Sequence, residues 1–196
     1  ANTLSRELVA PYKRTDRSLS FLSWANPAGL TGELLALIRS GGLINCCEGR
    51  GRLRSNIEET HPHYLFTTPD SLTLLRVQLA QDCEEKVYRW AWNASVRALR
   101  RKWGGDDSLL TRLTNRFLTR LVIRRVKPML GKKLQRVVYA GLRADTEDIA
   151  LLEEMGIKVS AMYSLTEAGG AIAILPASPF HGGGTALPGL GMRVEG

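Results

Sequence analysis

Ile157-Lys158-Val159-Ser160-Ala161-Met162, continued by Tyr163-Ser164-Leu165-Thr166-Glu167-Ala168-Gly169-Gly170, is an apolar run that delivers a phenol, a hydroxyl and a carboxylate in quick succession. The residues before it, Asp145 to Met155, have the apolar spacing of a short amphipathic helix, and Ile157 to Met162 reads as a buried strand. The polar groups therefore fall at the C-terminal end of a strand, where open α/β sheets place their ligands.

The same alternation extends toward the N-terminus. Leu19-Ser20-Phe21-Leu22 reads as a strand, Leu30 to Ile38 as a helix, Gly41-Gly42 as its break and Leu43-Ile44-Asn45-Cys46 as the next strand. Leu53 to Glu59 is a short helix, Tyr64-Leu65-Phe66-Thr67 another buried strand, and Leu134 to Ala140 a further one. Ala1 to Pro11 fits a helix closed by its proline. The tail from Pro176 to Gly191 reads as a loop, with Met192-Arg193-Val194 as a last strand. Strands alternating with helices through short glycine or proline turns predict an α/β fold, a layered and largely parallel sheet with flanking helices.

With 196 residues, 44% hydrophobic and 23% charged, the chain has the composition of a globular domain with one substantial core. No apolar run reaches the roughly 20 residues of a membrane-spanning helix. The three cysteines Cys46, Cys47 and Cys83 include an adjacent pair that cannot close a relaxed disulfide, which points to an intracellular, reducing compartment. His61 and His63 have no ligand-spaced Cys or carboxylate nearby and are read as strand-entry residues rather than zinc ligands.

Charge is concentrated in one place. From Arg97 to Arg136 there are 13 Lys or Arg against Asp106 and Asp107, although the whole chain is only +8. A helical segment at 70–128 is expected, in two helices separated at Gly104-Gly105. On the second, Leu110, Leu113, Phe117 and Leu121 share one face and Arg112, Arg116, Arg120 and Arg124 the adjoining one. Such a basic amphipathic face suits an anionic membrane surface or an acidic protein surface. Nucleic acid is not expected, because aromatic interleaving is sparse and no recognition motif is present.

Several segments together resemble the long-chain acyl-CoA synthetases of the adenylate-forming superfamily. Tyr163-Ser164-Leu165-Thr166-Glu167 resembles that superfamily's Tyr-Gly-x-Thr-Glu signature. The stretch Asp16 to Asn26 is similar to a segment ending Leu-Pro-x-Ala-His, with Ser23 for the proline and Asn26 for the histidine. Glu33 to Gly42 resembles the helix and glycine turn that follow, and His61 to Pro69 a Pro-Thr strand leading to Val-Pro. Gly131 to Arg136 resembles Leu-Gly-x-x-Leu-Arg, and Gly184 to Gly189 resembles Gly-x-Pro-Leu-Pro-Gly. A Ser-Gly-Gly-Ala-Pro-Leu turn corresponds to Tyr139-Ala140-Gly141-Leu142-Arg143-Ala144.

The resemblance implies an AMP-forming long-chain fatty acid–CoA ligase chemistry using ATP, Mg²⁺ and coenzyme A. It places Tyr163 and the turn at Gly141, Leu142 and Arg143 against adenine, Thr166 on the α-phosphate, Glu167 on magnesium, and Trp24 and Asn26 beside the acyl group. Leu142 and Arg143 add bulk and charge where the family keeps small side chains, and Ser164 replaces a conformationally free glycine. Ala1-Asn2-Thr3-Leu4 resembles the residues just after the family's phosphate loop, and Gly196 precedes the ribose-binding aspartate and the C-terminal domain with its lysine. Residues 1–196 are accordingly expected to be a single partial AMP-binding domain that makes no acyl-adenylate alone and holds no cofactor. The expected role is a pseudoenzyme: a structural, docking subunit of a larger protein complex, with an organelle (plastid or mitochondrion) membrane surface as its setting. The alternatives are the central segment of an active ligase and a basic module for anionic membrane or nucleic acid.

Overall fold

In the computed structural model, residues 12–81, 86–103, 120, 122–141, 143–176 and 185–186 are described. Strand β1 (Arg17–Ser20) leads to a helical run α1 made of Pro27–Gly29, a π-helical turn Leu30–Leu34 and Leu35–Ser40. Strand β2 (Leu43–Cys46), helix α2 (Leu53–Thr60) and strand β3 (Tyr64–Thr67) follow. Helices α3 (Pro69–Gln81) and α4 (Lys86–Trp103) come next, then β4 (Arg136–Ala140), α5 (Thr146–Glu154), β5 (Lys158–Leu165), β6 (Gly170–Pro176) and β7 (Thr185–Ala186).

The strands form one sheet in the order β2-β1-β3-β4-β5-β6-β7. The first five are mutually parallel, and β5, β6 and β7 are joined antiparallel. A parallel sheet needs cover on both faces, and the inward and outward residues of each strand supply two apolar layers. Leu19, Leu65, Val137, Tyr139 and Val159 pack with Leu53, Ile57, Leu72, Leu75, Ile149 and Leu152 from α2, α3 and α5. Tyr64, Phe66, Val138, Ala140 and Met162 face the other way, against Ala28, Ala36 and Leu37 of α1. On the first face, buried Asp148 of α5 accepts from Thr73 Oγ1 at 2.6 Å and from Arg76 Nε, which ties α5 to α3.

Local signals explain most of the boundaries. Gly41 ends α1 in the left-handed conformation, at φ 71°, and its N–H returns to the Ile38 carbonyl. His61 ends α2 in the same conformation, at φ 44°. The strand expected at Leu19–Leu22 lies instead at Arg17–Ser20: the charged first residue sits at the sheet's end, where it reaches water, and Leu22 already belongs to the loop into α1. β5 runs on to Leu165, three residues past the expected end, so Tyr163 and Ser164 are within the strand and only Thr166 and Glu167 lie beyond it. The reading of 176–191 as loop gives way at Thr185–Ala186, which is strand; 192–194 and residues 1–11 lie outside the described residues.

Strand β6 has no counterpart among the expected elements. Its hairpin with β5 needs two glycines, Gly169 at φ 74° and Gly170 at φ 134°. At Gly170 a side chain would also collide: an added Cβ would run into Thr31 Oγ1 and meet the Pro27 carbonyl oxygen at 3.1 Å. The hairpin is thus pressed against the first turns of α1. Gly170→Ala is expected to cost about 3 kcal/mol in chemical denaturation, from backbone strain plus overpacking. Gly169→Ala, which meets nothing within 4 Å, should cost only the backbone part. Equal losses at the two positions would contradict this packing.

Candidate functional site

The C-terminal ends of β4 and β5 bring the expected nucleotide residues to one side of the sheet. Ala140 is opposite Met162 in the parallel register, so Gly141 and Tyr163 are each one residue beyond that pair. Gly141 is exposed at φ 117°, a conformation closed to most side chains, and Arg143 is exposed nearby; Leu142 lies outside the described residues. Tyr163 is 51% exposed. Thr166 and Glu167 are exposed in the four-residue turn between β5 and β6, held by Ala168 N–H to the Leu165 carbonyl at 3.2 Å and Gly169 N–H to the Thr166 carbonyl at 3.0 Å.

The two residues expected at the acyl group sit in the loop between β1 and α1. Asn26 is the N-cap of α1, its Oδ1 accepting from Ala28 N–H at 2.9 Å. Trp24 is partly exposed, and its Nε1–H donates to Ser20 Oγ at 3.0 Å. Both polar groups are therefore engaged by the chain itself. The start of α1 is brought to the β5–β6 hairpin through Pro27 and Thr31, so loop and hairpin line the same end of the sheet.

Behind Trp24 lies a group that the sequence reading did not single out. Glu33, in the π-helical turn of α1, is fully buried. Ser18 Oγ donates to its Oε1, and Ser20 Oγ donates to its Oε2 at 2.6 Å. Burial pushes the Glu33 carboxyl up from an ordinary 4.5 to about 7, against the lowering effect of the hydrogen bonds from Ser18, Ser20 and Trp24. Tyr12, whose hydroxyl reaches the Gly32 carbonyl at 3.5 Å, is pushed up by its own burial and then by the Glu33 charge. The signal in the sequence is Ser18 and Ser20 two apart on one strand face, with a carboxylate on the apolar stripe of the next helix.

The sign of this linkage is definite. A carboxyl whose folded pKa is raised favours the folded state most below 4.5, and that contribution is lost as pH rises through about 7. Glu33→Gln is expected to flatten the stability profile between those limits and to gain up to roughly 3 kcal/mol at pH 8 relative to the parent chain. Denaturant titrations of both proteins across this range check it, and parallel pH profiles would contradict it.

Other expected features are structural. His63 Nδ1 accepts from Arg17 N–H at 3.1 Å, and its backbone joins β1 to the lead of β4. Among the described residues no group of three or more His, Cys, Asp or Glu could hold a metal ion. Cys46 and Cys47 are free thiols, and burial pushes Cys47 up; Cys83 lies outside the described residues. Of the basic stripe, Arg120 and Arg124 are exposed on helical backbone, whereas Arg112 and Arg116 lie outside the described residues. No described helix is long and apolar enough to cross a membrane.

No protein-family model matches the chain, and no curated protein matches its sequence. Solved structures do match its fold. A long-chain-fatty-acid–CoA ligase (FadD1) from Archaeoglobus fulgidus aligns at TM-score 0.56 and 12% identity over 92% of this chain and 29% of its own. The N-terminal domain of FACL13 from Mycobacterium tuberculosis aligns at 0.55 and 14%, over 88% of this chain and 33% of its own. The anthranilate CoA ligase AuaEII, in complex with anthranoyl-AMP, aligns at 0.55 and 14%, over 96% and 29%. The chain thus has the fold found in part of the N-terminal domain of adenylate-forming CoA ligases and spans about a third of the length of these structures.

Proposed function

We propose that this chain, an adenylate-forming ligase fold over about a third of the ligases' length, is a non-catalytic docking subunit of a larger protein assembly. The observation that carries the reading is the internal use of the polar groups at the would-be acyl site. Asn26 Oδ1 caps α1 and Trp24 Nε1–H bonds Ser20 Oγ, so the Trp24 donor and the Asn26 carbonyl oxygen already serve to hold the loop. The nucleotide side is equally incomplete in its donor set. Thr166 and Glu167 stand in an exposed turn, and no Gly/Ser/Thr-rich loop with lysine occurs in the 196 residues to hold a triphosphate. Magnesium bound by one carboxylate relies on such phosphates for its remaining ligands, so the residues present do not fit a magnesium–ATP site by themselves.

A docking role has its own support. Among the described strands, β2 ends the sheet with one hydrogen-bonding edge open, and Leu30 and Leu35 of α1 are 38% and 46% exposed. Open sheet edges and exposed apolar side chains are each features that partner proteins cover. The expected outcome of calorimetry on the purified chain at millimolar ATP and magnesium is no saturable heat. Saturable binding, with pyrophosphate released on adding a fatty acid, would restore the ligase reading.

A further inference from the structure

The N-terminal ends of the five parallel strands, opposite the end that carries Tyr163 and Glu167, form a basic edge. Arg17 opens β1, Arg136 opens β4 and Lys158 opens β5. Arg136 and Lys158 are direct register partners, and Tyr64 pairs with both Arg136 and Ser18, so Arg17 lies one residue below that row at the start of β1. Lys132 and Lys133 are exposed in the turn leading to β4, and Lys13 and Arg14 are exposed in the lead to β1. β1 and β5 are three strand spacings apart, so the cations from Arg17 to Lys158 span about 14 Å.

These charges act on a common region. The imidazolium of His63 is held below its ordinary range by burial first and then by Lys133, Arg17 and Lys13, with Asp16 opposing them. Asp16 is buried, accepts from Lys13 N–H at 2.8 Å and acts on His63 more strongly than any one of these cations, and exposed Glu58 and Glu59 lie at the end of α2 that leads into β3. No ion pair among the described residues joins these Lys and Arg side chains to a carboxylate. Arg136 and Lys158 open adjacent strands about 5 Å apart, within the Debye length of about 8 Å at physiological salt, whereas Arg17 is two strand spacings, about 10 Å, from Arg136.

The edge is also partly apolar. Helix α1 runs from the hairpin end of the sheet to Gly41, whose Cα faces the Arg14 side chain, and this places Ile38 at the basic end. Ile38 is 63% exposed and Leu43, at the start of β2, 50% exposed. Tyr12 and Tyr64 do not offer stacking surfaces: they are buried and packed edge-to-face, with centroids 4.8 Å apart. Binders of single-stranded nucleic acid use exposed rings on which bases stack, and this edge has none among its strands and turns. A flat row of cations flanked by exposed aliphatic side chains matches a bilayer, whose anionic headgroups lie over an apolar interior.

We infer that the N-terminal edge of the parallel sheet docks on an anionic phospholipid surface, with Lys13, Arg17, Lys132 and Lys133 over the headgroups and Ile38 and Leu43 dipping below them. The inference is independent of whether the chain binds ATP. Flotation of the full chain with phosphatidylcholine vesicles, with and without phosphatidylserine, tests it. Association is expected only when phosphatidylserine is present, and it should weaken as salt is raised. Lys132→Glu with Lys133→Glu, in an exposed turn, should weaken association by about thirtyfold or more. Arg17→Glu with Lys158→Glu should do the same from two different strands. Arg50→Glu with Arg52→Glu changes net charge equally at the other end of β2 and should have little effect. Equal losses from all three pairs, association indifferent to phosphatidylserine, or tighter binding of an acidic peptide or an oligonucleotide than of the vesicles would each overturn the inference.

Discussion

Helix α1 is seated on the sheet by a carboxylate that has no access to water. Glu33 sits between the hydroxyls of Ser18 and Ser20, two residues on one face of β1, and the surrounding layer is otherwise Phe66, Val138, Met162 and the small residues of α1. A buried carboxylate costs free energy unless its oxygens are bonded, so the π-helical turn, the serine pair and the rotation of α1 are mutually constrained. The widened turn is the local device that delivers the side chain to the serines. Because Trp24 bonds Ser20, the same network extends to the loop at the C-terminal end of the sheet.

From that anchor the rest of this side of the molecule follows. The position of α1 fixes Pro27 and Thr31, and these approach the β5–β6 hairpin so closely that only glycine is accommodated at 170. The hairpin in turn fixes where Tyr163, Thr166 and Glu167 stand. The sheet thereby has the shape seen in the ligase structures, while the Asn26 and Trp24 polar groups serve capping and anchoring within the chain. At the opposite end Asp16 and His63 are likewise bonded to the backbone, while Lys13, Arg17, Lys132 and Lys133 are exposed.

Most of the parallel sheet was legible from the sequence because its strands are short apolar runs bounded by Gly, Pro or His. Leu43–Cys46 and Tyr64–Thr67 fall where the residues place them, and Asp145 and Met155 bracket the helix before β5. The hairpin was not, since Ala171-Ile172-Ala173-Ile174-Leu175 following Gly169-Gly170 carries no polar alternation to mark a strand. Its antiparallel direction follows from the four-residue turn Thr166–Gly169, too short for a parallel crossover. Site residues were legible by type rather than by role. Asn26 stood out as a substituted histidine position, yet its function in the structure is to cap a helix; Glu33 was passed over because a carboxylate on an otherwise ordinary helix reads as solvent-facing.

The central claim is that Glu33 is a buried hub and not a surface carboxylate. Carbon-detected NMR of the glutamate side-chain carboxyls, followed through a pH titration, measures it directly. The account predicts one resonance with a midpoint near 7, assigned by its disappearance in Glu33→Gln. A spectrum in which the Glu33 carboxyl titrates with the exposed glutamates, at roughly 4.3, would contradict it.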